Sequence, residues 1–184
     1  MDSLWRTILW KQFGAAIDML DNAIVACPDA LWRERLWPAP SDLPTDFATF
    51  WYVAYHTLFW LDLYLFGSEE GFAPPAPFTL EELDPAGVVP NPPYSREALR
   101  AYLASLRQQC RDTFETMTDE RARQSVTFPW MRAGVVFSYL ELQLYSMRHV
   151  QEHAAQLSLL LGQHSVPGEE IDWVARAKDT PDGG

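Results

Sequence analysis

The chain has little cysteine and few basic residues, and both shortages exclude common classes of protein. Its 184 residues include only 2 cysteines, Cys27 and Cys110, which are far apart and form no CxxC pair. Neither a disulfide framework nor a thiolate zinc site is therefore indicated. Lys and Arg number 14 against 25 Asp and Glu, which gives a formal net charge of −11. Because this charge repels nucleic acid and anionic membranes, and the basic residues form no patch, we expect a protein that binds neither. The two widely separated cysteines fit a reducing compartment, so we expect a cytoplasmic protein.

A secretory signal and a persuasive membrane span are also lacking. The start, MDSLWRTILWKQFGAAIDML, has no basic beginning, uninterrupted apolar stretch or small-residue cleavage site, and is typical of a first helix. Residues 47–66 form a largely apolar stretch, FATFWYVAYHTLFWLDLYLF, about as long as a membrane span. It contains His56 and Asp62 and has no basic flanks, so the sequence favours a helix buried in a protein core.

Strand-like alternation and internal repeats are missing, whereas helical spacing of apolar residues recurs along the chain. The spacing predicts principal helices at residues 3–25, 46–66, 96–117 and 135–161. We expect an all-α fold, a four-helix bundle, in a single domain spanning residues 1–184. Its core should occupy about residues 3–162, and residues 163–184 should form a short C-terminal extension with an amphipathic piece near 169–178.

Capping residues and glycines mark the expected helix ends. Thr45 or Asp46 is expected to cap helix two, and Gly67 to end it. Ser95 is expected to cap helix three, and Gly162 to end the last helix.

A long proline-rich connection, residues 67–94, joins helices two and three. It lacks the periodicity of a long helix, apart from a turn expected at residues 79–83. Long connections inside a small domain tend to be functional covers or disordered segments. The aromatic residues Phe72, Phe78 and Tyr94 favour a packed cover, and the sequence leaves open whether this cover moves.

The histidines form the most informative pattern in the sequence. His149 and His153 lie one helical turn apart, where Cβ atoms are about 5–6 Å apart, so both imidazoles can reach one metal ion. The only histidine of helix two, His56, is the candidate third ligand, whereas His164 lies beyond the last predicted helix. A lone buried histidine is more often a hydrogen-bonded core residue, and a pair at this spacing also arises by chance. Taken together, the three positions favour a metal site.

The same residues fit a second motif, H-x-x-E-H, which is typical of inverted zinc metallopeptidases and would make Glu152 the base that activates water. That interpretation needs a further carboxylate ligand downstream, and the tail offers only Glu169 and Glu170. Glu152 also falls on the polar side of its helix. A zinc peptidase is therefore a lower-ranked alternative.

Two stretches around the histidines, AYHTLFWLDLYLFG and YSMRHVQEHAAQLSLLLG, resemble the DinB/YfiT-like metalloprotein superfamily over about residues 3–162. The resemblance implies an up-down-down-up bundle, often dimeric. It also implies a divalent metal, such as nickel or zinc, bound by His56, His149 and His153 and completed by water. Characterised relatives include thiol-dependent enzymes, such as mycothiol-dependent maleylpyruvate isomerase and bacillithiol transferases.

A metal held by three neutral imidazoles keeps its full charge and open positions, where it can activate water or a thiol near neutral pH. We therefore expect a metal-dependent enzyme that transfers a thiol or hydrolyses a small-molecule substrate, and the family resemblance alone implies a homodimer. A low-molecular-weight thiol is a candidate cofactor, but the sequence identifies no residue that binds it and no catalytic side chain. A non-catalytic, metal-stabilised binding bundle is the alternative.

Three further residues are candidates to contact the metal ligands or the substrate. Tyr145 and Gln156 lie near His149 on the helical wheel, and Trp60 shares a side with His56. For Tyr145 and Gln156, a partly solvated position at the flank of the helix is the favoured explanation, whereas core packing explains Trp60 equally well. Asp62 lies about 120° from His56 by helical rotation, so it is not assigned to the metal.

Overall fold

The computed structural model describes residues 3–38, 44–131, 135–167 and 173–179. Four long helices dominate it: α1 (Ser3–Ala26), α2 (Phe50–Phe66), α3 (Arg96–Thr116) and α5 (Tyr139–Gln163). Between α3 and α5 lie a short helix, α4 (Asp119–Arg123), and an antiparallel pair of two-residue strands, β1 (Ser125–Val126) and β2 (Phe137–Ser138). The all-α prediction is confirmed, although neither α4 nor the strand pair was expected.

The helices pack in a square in which α1 and α2 each contact both α3 and α5. Along the α1–α3 face, Asp18 pairs with Arg107 and Asp21 pairs with Arg100. The later residue of α1 thus meets the earlier residue of α3. These two helices are therefore antiparallel.

The remaining directions follow from contacts of α2. The side-chain amide of Gln143 donates to the Tyr64 carbonyl oxygen, while His149 meets His56, so α2 and α5 are antiparallel. Near the other side of α2, Tyr102 of α3 donates to Asp62. Trp51, at the start of α2, packs against the ring of Tyr94, just before α3 begins, so α2 and α3 are parallel. The helix order is up-down-down-up, as expected.

Helix α2 lies at the centre of the core and is buried on nearly every side. This explains why residues 47–66 are so apolar without spanning a membrane. Within the described ranges, no helix is both long and apolar enough to cross a bilayer. Helix α3 is amphipathic, and its inward face consists of the buried residues Leu99, Tyr102, Leu103, Leu106, Cys110 and Phe114.

The start of α2 was predicted wrongly. Neither Thr45 nor Asp46 caps it, because Thr45–Ala48 is a separate 3-10 turn and the helix begins at Phe50. The cause is backbone pairing with an earlier segment: the Phe50 N–H donates to the Glu34 carbonyl oxygen at 2.9 Å. Gly67 ends the helix at a φ of 88°, as predicted.

The last helix also differs from its prediction at both ends. It begins at Tyr139, after β2, and Ser138 caps it in a capping box with Glu141. Gly162 does not end it, since the helix continues to Gln163. At the other predicted cap, the Ser95 hydroxyl accepts the Ala98 N–H at the start of α3, as expected.

The proline-rich connection is a packed cover. Phe72 and Phe78 are buried, and the Phe78 ring stacks on Tyr102 of α3 with centroids 4.4 Å apart. A 3-10 turn at Leu80–Leu83 confirms the predicted turn. We call residues 67–94 the cover below.

Within the C-terminal extension, residues 173–179 pack along α1 and are not helical. The Ala177 N–H donates to the Lys11 carbonyl oxygen at 2.9 Å, and the Lys178 N–H donates to Asp18 at 2.7 Å. Gly14 allows this approach, because a Cβ there would lie 2.6 Å from the Ala177 Cβ. The amphipathic piece expected near 169–178 falls partly on residues 168–172, which lie outside the described residues.

Candidate metal centre

Two side chains of α5 set the register that brings α5 onto α2. The Tyr139 hydroxyl donates to the Leu65 carbonyl oxygen at 2.6 Å, and the Gln143 amide donates to the Tyr64 carbonyl oxygen at 2.7 Å. Both bonds are buried, where the loss of a partner is costly. They hold the end of α2 against the start of α5, and His56 therefore faces the His149 turn.

The three predicted histidines meet at this point. His149 Nε2 lies 3.2 Å from His56 Nε2 and 3.0 Å from His153 Nε2. Among the residues with described positions, these three form the group of side chains able to hold a metal ion, with ligand atoms within 4.8 Å of one another. The convergence predicted from the sequence is present.

The spacing of the nitrogens suits a shared metal ion. With metal–imidazole bonds of about 2.0–2.1 Å, adjacent ligand nitrogens lie about 2.9 Å apart at a right angle and about 3.4 Å apart at a tetrahedral angle. The two measured separations, 3.0 and 3.2 Å, fall between these limits. These two spacings are compatible with a shared divalent ion, and the ligand atoms of all three histidines lie within 4.8 Å of one another.

Partners on two of the rings leave the Nε2 atoms free of protons. Glu82 Oε1 contacts His56 Nδ1, and Gln156 Oε1 lies 2.8 Å from His153 Nδ1. A carboxylate oxygen and an amide oxygen both accept, so in a neutral ring bonded to either of them Nδ1 carries the hydrogen and Nε2 keeps its lone pair. This is the tautomer that binds a metal through Nε2.

The electrostatic surroundings keep the α5 histidines neutral. Burial, followed by the neighbouring His56 and His153, lowers the pKa of His149 to about 3. Burial and His56 also lower the pKa of His153, against a smaller opposing effect from its hydrogen bond with Gln156. Neutral imidazole is the form that binds metals, so these two side chains need lose no proton near neutral pH.

A cleft of about 310 Å³ opens beside His56 and His153. The turn of the cover forms one wall, and the other walls come from α2 and the segment before it. Its lining residues are Trp37, Phe47, Tyr52, Val53, His56, Glu81, Glu82, Asp84, Pro85, Gly87, Val88 and His153. This volume is at the lower end of the range for small-molecule sites.

Of the three further candidates, Gln156 and Trp60 lie at the histidine cluster or beside it, and Tyr145 does not. Gln156 contacts His153, and the Trp60 indole donates to Glu82 Oε1 at 3.0 Å. Tyr145 lies elsewhere, with its ring packed against Tyr64 and exposed over 36% of its surface. Proximity on the wheel did not bring Tyr145 to the histidines, because its ring packs against Phe137 as well as Tyr64.

The geometry does not favour the peptidase alternative. Glu152 is exposed and lines a different groove, between α1, α5 and the C-terminal segment. Glu169 and Glu170 lie outside the described residues. Asp62 is also apart from the histidines, since it accepts a hydrogen bond from Tyr102 at 2.6 Å.

Glu82 and Tyr52 were not predicted. The Glu82 side chain is only 5% exposed, and its second oxygen, Oε2, accepts the Tyr52 hydroxyl. One usable signal was present in the sequence, a pair of acidic residues in the turn expected at residues 79–83. A periodic pattern could not indicate that this turn folds over helix two.

The two cysteines have structural positions. Both are buried and neither forms a disulfide. Burial raises the pKa of the Cys27 thiol to about 12 and raises that of Cys110 well above its usual value. A thiolate nucleophile is therefore not available at either position near neutral pH.

Comparison with known proteins places the chain in a family. No curated protein and no solved structure matches it significantly. The family model of the DinB superfamily matches residues 12–157, a span that covers most of the chain and includes all three converging histidines. On this match and on its helical fold, the chain belongs to the DinB superfamily.

Proposed function

We propose that the protein binds one divalent metal ion, nickel or zinc, through Nε2 of His56, His149 and His153, and that it is a metal-dependent enzyme acting on a small molecule. The observation that carries this proposal is the convergence of the three Nε2 atoms, with separations of 3.2 and 3.0 Å, beside an open cleft. Thiol transfer and hydrolysis are the two reaction classes that we propose.

A divalent ion bound there would lower the pKa of a water or thiol and supply a nucleophile near neutral pH. The surrounding residues have supporting roles. Glu82 and Gln156 contact Nδ1 of His56 and His153 and so would hold the two rings for binding an ion through Nε2. All three histidines are partly buried, and the lower local dielectric strengthens electrostatic interactions at the site.

The lining of the cleft favours some substrates over others. Trp37, Phe47 and Tyr52 offer aromatic surface, and Glu81 and Asp84 add negative charge. The described lining residues include no Lys or Arg. We therefore propose that the substrate presents an apolar or positively charged group to this wall, since the acidic side chains would repel an anionic group.

A metal-exchange assay tests this function. Tag-free protein, stripped of metal and reloaded with Ni²⁺ or Zn²⁺, is assayed for thiol transfer and for hydrolysis of small esters and amides. Activity should appear only on reloading and be lost in His153→Ala, but not in His164→Ala, a matched control on an exposed histidine outside the site. Metal binding without activity in either screen would favour the non-catalytic, metal-stabilised bundle.

Homodimer formation stays a prediction from the family resemblance. Light scattering of the purified chain tests it, with a mass of about twice 21.1 kDa expected.

A further inference from the structure

Glu82 has an unusual position for a glutamate. It belongs to the cover, in the Leu80–Leu83 turn, yet its side chain is only 5% exposed. Carboxylates are almost never fully buried without partners. Glu82 has three partners, all on α2: His56, Trp60 and Tyr52.

The partners occupy both carboxylate oxygens. Oε1 accepts from the Trp60 indole at 3.0 Å and contacts His56 Nδ1, while Oε2 accepts the Tyr52 hydroxyl. The Trp60 N–H also points at His56 Nδ1, at 3.2 Å, as the longer branch of a bond that it shares with Glu82 Oε1. Nδ1 cannot both accept from Trp60 and donate to Glu82, and its contact with Glu82 is the closer of the two. If Nδ1 lacked its hydrogen, a carboxylate oxygen and a nitrogen lone pair would face each other. The proton therefore lies on Nδ1, and Glu82 determines the tautomer of His56.

We propose that Glu82 is a positioning residue that fixes His56 for metal binding, so that metal affinity depends on how the cover is seated on α2. This inference rests on the proposed function, because it concerns the affinity of the same histidines for a metal. Beyond that function, Glu82 controls the metal affinity from the cover, outside the two helices that carry the histidines.

Two other roles for Glu82 are less consistent with its contacts. A metal ligand would need a free oxygen directed at the Nε2 atoms, whereas Glu82 contacts the opposite nitrogen of His56. A general base would need an oxygen free to take a proton from the substrate, whereas each Glu82 oxygen already accepts a hydrogen bond. Glu82 acts through His56 and does not touch the reacting atoms.

The expected effect on metal binding is large enough to measure. Loss of an outer hydrogen-bond partner of a metal-ligating histidine typically weakens metal affinity about 10–100-fold. Glu82→Ala should show a loss of this size for Zn²⁺. Glu82→Gln keeps an acceptor for Nδ1 but loses the charge, so its loss should be smaller.

The matched control is Glu81→Ala. Glu81 is the preceding residue, lines the same cleft and carries the same charge, but its carboxylate accepts a hydrogen bond from Thr79. If general electrostatics of the cleft set the affinity, both alanine variants should weaken Zn²⁺ binding alike. If positioning sets it, only Glu82→Ala should.

The experiment combines Zn²⁺ titration calorimetry of the full-length, metal-stripped chain with ¹⁵N NMR of its histidine rings. Wild type and Glu82→Gln should show His56 as the Nδ1–H tautomer without metal, and Glu82→Ala should show a mixture of tautomers. Equal Zn²⁺ affinity of Glu82→Ala and wild type would overturn the inference while leaving the proposed function intact. Absence of Zn²⁺ binding by wild type would overturn both.

Discussion

Without metal, His149 should lower the stability of the folded protein. Its replacement should therefore raise the stability of the metal-free protein and abolish stabilisation by metal. His149 Nδ1 is buried and has no hydrogen-bond partner among the described residues, while its Nε2 faces two other nitrogens. An unsatisfied buried polar group costs about 1–3 kcal/mol. Replacement by leucine, of similar volume, removes that cost. The His149→Leu variant should therefore be more stable than wild type without metal, yet unresponsive to metal.

The magnitudes can be compared in one assay. A gain of about 1–3 kcal/mol corresponds to a melting temperature higher by about 2–12 °C, at about 2–4 °C per kcal/mol for a chain of this size. Wild type should gain about 2.7 kcal/mol from metal at 100 times its dissociation constant, and His149→Leu should gain nothing. Differential scanning fluorimetry with a chelator and then with Zn²⁺ measures both effects.

The control is His164→Leu, which replaces an exposed histidine beyond α5 and should leave the response to Zn²⁺ unchanged. Lower stability of metal-free His149→Leu would refute the reasoning about the unpaired nitrogen. A retained response to Zn²⁺ in that variant would refute the role of His149 in the site.

Three further predictions concern other parts of the molecule. Gly14→Ala should displace residues 173–179, because its Cβ would lie 2.6 Å from the Ala177 Cβ. Such overpacking typically costs about 1–3 kcal/mol of stability. Amide hydrogen exchange in residues 173–179 should become faster, and an unchanged rate would contradict this packing. Asp62→Asn should raise stability at neutral pH, since burial raises the pKa of the Asp62 carboxyl and disfavours its charged form in the folded state. The stability difference between Asp62→Asn and wild type should shrink as the pH falls through the pKa of Asp62 in the folded state. Denaturant unfolding at several pH values measures this difference, and a constant value would contradict the prediction. Glu152→Gln should leave Zn²⁺ affinity unchanged, because Glu152 is exposed and lines another groove, and a large loss in calorimetry would revive the peptidase interpretation.

The long helices and the three histidines were predictable because both depend on short-range periodicity. Apolar residues at helical spacing indicate which face is buried, and His149 and His153 share a face for the same reason. The pairing of His56 with them needed one further step, the assumption that helix two faces the last helix. Tyr139 and Gln143 provide that register through bonds to α2 carbonyl oxygens, and the sequence does not indicate which carbonyls they reach.

The errors arose where distant segments pair. The last helix begins at Tyr139 because Phe137–Ser138 is engaged with β1, a contact that no local pattern reveals. Gly162 stays helical although glycine costs about 1 kcal/mol there relative to alanine. The chain beyond it folds back, and the Val166 N–H donates to the Leu161 carbonyl oxygen at 3.0 Å.

Glu82 shows the limit of prediction for the site itself. Its turn was expected, but its path over α2 depends on the burial of Phe72 and Phe78, which anchor the cover. Irregular segments have no period that would indicate where each side chain points. A carboxylate that orients a metal ligand from such a segment therefore becomes visible only in three dimensions.

The three-histidine site is tested most directly by the metal content of the purified, tag-free chain after incubation with Ni²⁺ or Zn²⁺ and desalting, measured by elemental analysis. We expect about one ion per chain in wild type and in His164→Ala. We expect a large loss of metal in each of His56→Ala, His149→Ala and His153→Ala, with the helical content of each variant unchanged by circular dichroism. Wild type without metal, or folded variants that keep a full complement of it, would contradict the three-histidine site.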